Sequence, residues 1–194
     1  DVKKKLFGNN DNFISICLGE IKYRKGQDLI VKNLKAICNL IPNFKLILLG
    51  RKNQDFFNNL NKILLNSGLK EKVEYIHHQP NAIEYIYAAD ILLQPSRSEA
   101  LPRTILEAMA LKTPIIASDV DGIPELVEDG MSAILFSLSN LDKMIQGAQK
   151  IYSDNKYRQK LTENASQRYW KYFSREHHIQ KYANFLKQIQ ISNA

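Results

Sequence analysis

A chain of 194 residues, 44% hydrophobic and 24% charged, is sized for one globular domain with a real core. No apolar run approaches the roughly 20 residues that cross a bilayer, and the start, DVKKKLFGNN, lacks the apolar segment of a secretory signal. The net charge of +7 divides into +7 over residues 1–52, −6 over 53–140 and +6 over 141–194, so no continuous basic track for nucleic acid is expected.

The first residue is not methionine, which suggests a segment of a longer chain. Phe13 to Leu18 is a short apolar run ending at Gly19 and reads as a first buried strand. After the loop Glu20 to Gly26, a helix is predicted from about Gln27 to Leu40, with Leu29, Ile30, Leu34, Ile37 and Ile41 on one face and Pro42 as its stop. Phe44 to Leu49 is the second strand, closed by Gly50-Arg51-Lys52-Asn53. A helix from about Gln54 to Asn66 ends at Ser67-Gly68. Val73 to Ile76 is a shorter third strand, and Asn81 is placed to cap a helix running to about Ala89. Ile91 to Leu93 and Pro114 to Ala117 are apolar runs flanking a helix that opens with Pro102, and Ala133 to Phe136 gives a last strand. Everything beyond Asn140 reads helical, in two or three segments. Its aromatics (Tyr157, Tyr169, Trp170, Tyr172, Phe173, Tyr182 and Phe185) exceed one amphipathic stripe; most are expected on the sheet layer, some against another domain.

Six strands alternating with helices predict an α/β fold, a Rossmann-like doubly wound parallel sheet with a helical carboxyl-terminal tail. The core is placed at 13–150 and the tail at 151–191, in a single domain. Cys17 and Cys38 fall in a strand and a helix without a companion ligand cluster. They are expected as buried thiols of a reducing cytosol, neither disulfide-bonded nor metal-bound.

In such sheets ligands sit beyond the carboxyl ends of the strands. The turn after the first strand has only Gly19 and Gly26, so the G-x-G-x-x-G of a dinucleotide-binding dehydrogenase is missing, and no P-loop occurs. The loops of the stretch Asp90 to Pro124 instead offer hydroxyls at Ser96, Ser98 and Thr104 and carboxylates at Glu99 and Glu107, on either side of a helix amino terminus. Carboxylates accept two hydroxyls at once, as a ribose diol requires, and free amides at a helix start receive phosphate. The pair His77 and His78 has no carboxylate or cysteine at ligand spacing, so no metal is expected.

The segments Ser96-Arg97-Ser98-Glu99-Ala100-Leu101-Pro102, Ile105-Leu106-Glu107-Ala108-Met109-Ala110 and Pro114 to Glu125 resemble the retaining, nucleotide-sugar-dependent glycosyltransferases of the GT-B fold, group 1. Glu99 and Glu107 match that family's Glu-x7-Glu signature, and Gly19 to Gly26 resembles its glycine-arginine-to-lysine-glycine loop. The resemblance covers roughly residues 13–150 and implies the carboxyl-terminal, donor-binding half only, the amino-terminal acceptor domain being absent.

The resemblance gives Glu107 the ribose and Glu99 the donor sugar's hydroxyls, and it sets Gly19 at the loop start. It assigns the diphosphate to Lys25 and to amides at Ala100, Leu101 and Arg103, beside the hydroxyls of Ser98 and Thr104. It puts the loop holding His78 at the base, and Arg51 either joins it there or is solvated. No cofactor or metal is then required; the donor is a nucleoside diphosphate sugar, UDP first among nucleotides. Glu20 stands where the family has a phosphate-binding arginine: either Arg24 or Lys22 substitutes, or the site is weakened. Ala100 and Asp121 replace glycines, milder changes that narrow the backbone's approach to the sugar. Arg97 and Arg103 read as structural or solvated side chains.

The implied function is hexose transfer to a glycan or lipid-linked acceptor by a cytoplasmic enzyme, this segment alone being inactive. The basic ends would allow a peripheral contact with an anionic membrane face. The alternative is a non-catalytic partner subunit or a degenerate nucleotide-sugar-binding domain.

Overall fold

The structure is a computed structural model that describes residues 2–8 and 11–192. Six parallel strands, β1 (Phe13–Leu18), β2 (Phe44–Leu49), β3 (Val73–Ile76), β4 (Ile91–Gln94), β5 (Ile115–Ser118) and β6 (Ile134–Phe136), form one sheet in the order β3-β2-β1-β4-β5-β6. The strands are unbroken apolar runs because both faces are covered. Alternate residues of β1 enter different cores: Phe13 and Cys17 pack on one face, Ile14 and Ile16 on the other. Only β3, at the edge, is merely half-buried.

The helices are α1 (Val2–Phe7), α2 (Gln27–Leu40), α3 (Gln54–Ser67), α4 (Ala82–Ala88), α5 (Arg103–Leu111), α6 (Ile123–Leu126), α7 (Asp142–Ser153), α8 (Asn155–Tyr172) and α9 (Arg175–Ser192). Ile30, Leu34 and Ile37 of α2, Leu60 and Leu64 of α3 and Met144 of α7 cover one face of the sheet. Ile86 of α4, Ile105 and Met109 of α5 and Ala165 of α8 cover the other. Local chemistry sets the ends: Asn53 accepts the Phe56 N–H at 3.0 Å, Asp154 accepts the Tyr157 N–H at 2.9 Å, and Gly68 closes α3 at φ 68°. This is the α/β, doubly wound architecture the alternation of patterns predicts.

Several elements differ from expectation. Helix α1 has no periodic apolar face to announce it; it is docked by Phe7, edge-on to Tyr85 at 5.9 Å, and by Lys3, 2.6 Å from Asp90. Helix α5 opens one residue later than expected, with Pro102 extended in the flanking position. Asn81 makes no cap bond; its amide donates to Glu84 at 3.0 Å instead. The tail aromatics are corrected most. Tyr157, Tyr169 and Phe173 pack on the core, but Trp170, Tyr172, Tyr182 and Phe185 are exposed. Of the cysteines, Cys17 is buried and Cys38 only half-buried; burial pushes the Cys17 thiol up to about 12, which keeps it inert.

Candidate functional site

The order of strands reverses between β1 and β4, which opens a crevice at their carboxyl ends. The loop after β1 is tied to the loop after β2: Ile21 N–H donates to Arg51 at 2.7 Å, and Asn53 N–H donates to Ile21 at 3.0 Å. A 3-10 turn over Tyr23–Lys25 then ends at Gly26, which is left-handed at φ 71°. A Cβ there would stand 1.8 Å from the Pro95 carbonyl, so only glycine lets α2 start against the loop after β4.

Arg97 fastens the same two loops. It makes a bidentate pair with Asp28 at 2.8 and 2.9 Å, donates to Tyr23 O at 2.6 Å and lies 3.9 Å from that ring's centre. Its expected structural role is what the geometry shows.

This arrangement brings Lys25 to Glu99, which is buried. Glu99 Oε1 accepts from Lys25 Nζ, from Ser96 Oγ at 2.9 Å and from Gln94 Nε2 at 3.0 Å, while Arg24 lies 3.5 Å from Oε2. Burial pushes the Glu99 carboxyl up, but the hydrogen bond and charge of Lys25, with Ser96 and Arg24 behind them, prevail and hold it below its ordinary value. Gln94 in turn accepts from Thr104 Oγ1 at 3.1 Å, so α5 is joined to the same network. The result is an ionised carboxylate of fixed orientation beside a cation.

Two adjoining cavities follow the crevice and share Leu18, Gly19 and Ala82. One, of about 310 Å³, is lined by Gly50, Arg51, His78 and Glu20. The other, of about 390 Å³, is lined by Lys25, Glu99, Leu101, Arg103, Thr104 and Glu107. Glu107 lies on α5 with Arg103 3.7 Å away; burial raises its pKa, and Arg103 only partly opposes that. Arg103 is itself 87% exposed. No intrachain partner is found for the N–H groups of Ala100 and Leu101 among the described residues, and α5 begins beside them with its unbonded first turn.

The predicted site residues are therefore split three ways. Arg51 and His78 share one end, Lys25, Glu99, Leu101, Arg103, Thr104 and Glu107 share the other, and Gly19 lines both. Arg24, Ser98 and Ala100 stand beside the crevice and line neither cavity. Of the two cations that could replace the missing arginine, Lys22 is paired with Glu20, whereas Arg24 donates to Ser98 O at 2.6 Å and faces Glu99. No group of three or more potential metal-binding side chains occurs among the described residues.

Two contributors went unread in the sequence, and a third was read in another role. Gln94 ends an apolar run, and that lone amide in a buried strand is the signal that could have found it. Gln27 is buried and clamps the loop after β1, accepting Lys22 N–H at 3.3 Å and donating to Glu20 O at 3.1 Å. Ser96, expected to meet ligand, is buried and spends its hydroxyl on Glu99.

The sequence profile of the family described as Glycosyl transferases group 1 matches residues 1–168. The lipopolysaccharide core biosynthesis mannosyltransferase LpsB of Rhizobium meliloti is 28% identical over 143 residues, covering 71% of this chain and 41% of LpsB. HepE of Anabaena, solved in complex with UDP, matches with a TM-score of 0.88 at 23% identity over 96% of this chain and 52% of that one. The C-terminal domain of the group 1 family protein LpcC from Francisella tularensis matches with a TM-score of 0.76 at 22% identity, covering 84% of this chain and 87% of that domain. These structures share the fold. The chain spans less than half the length of the first curated relatives it matches, 41% in the case of LpsB.

Proposed function

The chain belongs to the group 1 glycosyl transferases, and from that premise we propose that it is the donor-binding part of a retaining enzyme. Its donor is a nucleoside diphosphate hexose, UDP first among nucleotides, and its acceptor a glycan or a lipid-linked glycan. One observation supports this reading: of the two adjoining cavities one is lined by Arg51 and His78, which we assign to the base, and the other by the paired charges Lys25 and Glu99 with Glu107. The solved relative HepE, crystallised with UDP, supports the choice of nucleotide.

In this reading Glu107 accepts the ribose hydroxyls, and the N–H groups of Ala100 and Leu101 with the start of α5 receive the diphosphate. Lys25 offsets the charge that builds on the departing nucleotide as its bond to the anomeric carbon breaks, a task that needs no metal. Glu99, ionised and held by three donors, accepts hydroxyls of the sugar. The second reading, a degenerate or non-catalytic nucleotide-sugar-binding subunit, draws on Glu20. Its carboxylate is neutralised by Lys22, which favours a working site.

Calorimetric titration with UDP, GDP and ADP tests the reading. Binding of one nucleotide, abolished in Glu107→Ala, is the expected result; no binding of any would refute it. The purified chain, given donor and acceptor, is expected not to transfer without an acceptor domain, and appreciable transfer would refute that part. A peripheral contact at the cytoplasmic face of the membrane is read from the basic ends. Co-sedimentation with anionic, but not neutral, vesicles at low salt checks it.

A further inference from the structure

The loop after β5 grips the loop after β4 at a single residue. Asp121 Oδ2 accepts the backbone N–H of Glu99 at 2.9 Å, and the next residue, Gly122, donates its N–H to the Glu99 carbonyl at 3.1 Å. Both polar groups of the Glu99 main chain are thus taken by two consecutive residues of another loop. The loops touch closely: a Cβ at Gly122 would stand 1.8 Å from the Ala100 carbonyl.

Asp121 is left-handed, at φ 45°, and Lys112 is the other non-glycine residue with positive φ among those described. Aspartate tolerates that region when its side chain bonds its own backbone. Here the carboxylate is turned instead to a residue 22 positions away. The strained backbone is therefore coupled to the segment that carries Glu99, not to its own turn.

We propose that Asp121 is a positioning residue of the donor site, holding Ser98 to Leu101 so that Glu99 stays on Lys25 and the Ala100 and Leu101 N–H groups stay beside the cleft. The proposal rests on the reading of the cleft given above. Inside the protein, Lys25, Ser96 and Gln94 fix the Glu99 carboxylate; outside, Asp121 and Gly122 fix its peptide. Removing the outer clamp frees the segment without touching a ligand-contacting side chain.

Glycine at position 121 separates this role from a merely structural one, because it removes the carboxylate while relieving the backbone. In the full chain, Asp121→Gly is expected to speed exchange of the Glu99 amide proton and weaken UDP about tenfold, the worth of one charge-assisted hydrogen bond. Its melting temperature should be equal or higher. Asp121→Asn, which keeps an acceptor and tolerates the left-handed backbone, should restore UDP affinity to within about threefold. Unchanged Glu99 exchange in Asp121→Gly, unchanged UDP affinity, or a fall in affinity accompanied by a fall in melting temperature would each overturn the proposal. Silence of the unsubstituted chain towards UDP, GDP and ADP would bring down the reading of the cleft itself. Binding by the unsubstituted chain and equal binding by Asp121→Gly would bring down the role of Asp121 alone.

Discussion

Glu107 and Glu99 are carboxylates pushed in opposite directions by their surroundings. For Glu107 burial dominates and raises the pKa, with only Arg103 against it and no hydrogen bond to hold the charge. The folded state therefore binds its proton more tightly than the unfolded chain, and ionisation costs stability as pH rises past the ordinary value of 4.5. Glu107→Gln should leave the melting temperature unchanged or raised while weakening UDP about tenfold or more. A parallel loss of UDP affinity in the unsubstituted chain should begin above pH 4.5 as the pH falls, read by titration at successive pH values. Glu99 is the reverse case. Its lowered pKa contributes stability that is present above the ordinary value of 4.5 and is lost as pH falls through the folded value. Lys25→Met strands this carboxylate, with Arg24, Ser96 and Gln94 as its remaining partners, and should cost about 3 kcal/mol in urea unfolding at pH 7. The deficit should narrow in acid, where Glu99 becomes neutral; a deficit independent of pH would show that the ion pair is not its source. Glu99 and Glu107 were legible as candidates because their spacing is short-range and their type is chemically apt, whereas Lys25, 74 positions from Glu99, was read through the resemblance of its loop. Asp121 was read only as a replaced glycine; its bond to the Glu99 peptide was not legible, because nothing in an aspartate's identity announces a left-handed backbone or the distant N–H its carboxylate meets.

The strands and the helices α2, α3 and α5 were legible for one reason: each buries a regular face, so its apolar period survives in the sequence. Helix α9 shows what happens without such a face. None of its described side chains is buried, and Ile179, Tyr182, Phe185 and Leu186 are exposed, so its aromatics do not join the sheet layer where most of the tail's were expected. It is held at its start, where Ser174 is buried, donates to Trp170 O at 3.1 Å and accepts the His177 N–H at 3.2 Å. A helix stabilised at one end and by few buried contacts opens locally at low cost. Its amides should exchange fastest of all the helices of eight or more residues. A chain ending at Ser174 should melt within about 2 °C of the full chain, since the core it leaves is intact. A larger fall in melting temperature would mean that α9 contributes to the core after all.

At the scale of the molecule the cleft joins two halves of one sheet. Gly19, Gly50, Arg51 and His78 come from the β1, β2 and β3 side, and Glu99, Thr104 and Glu107 from the β4 and β5 side. The alternation of strands and helices announced a crevice at a strand-order reversal, but which loops meet across it depends on close contacts such as Gly26 on Pro95, which no pattern encodes. A ligand that spans the crevice stabilises both halves together. At a hundredfold excess over its Kd, UDP should add about 2.7 kcal/mol, a rise of roughly 5 to 10 °C in melting temperature for a chain of this size. The two ends can be told apart by exchange. Uridine alone should slow amide exchange near Gly50, Arg51 and His78, whereas UDP should slow it there and across Glu99 to Thr104. Protection by uridine at Glu99 to Thr104, with none at Arg51, would reverse the nucleotide in the cleft and move the sugar to the end that holds Glu20.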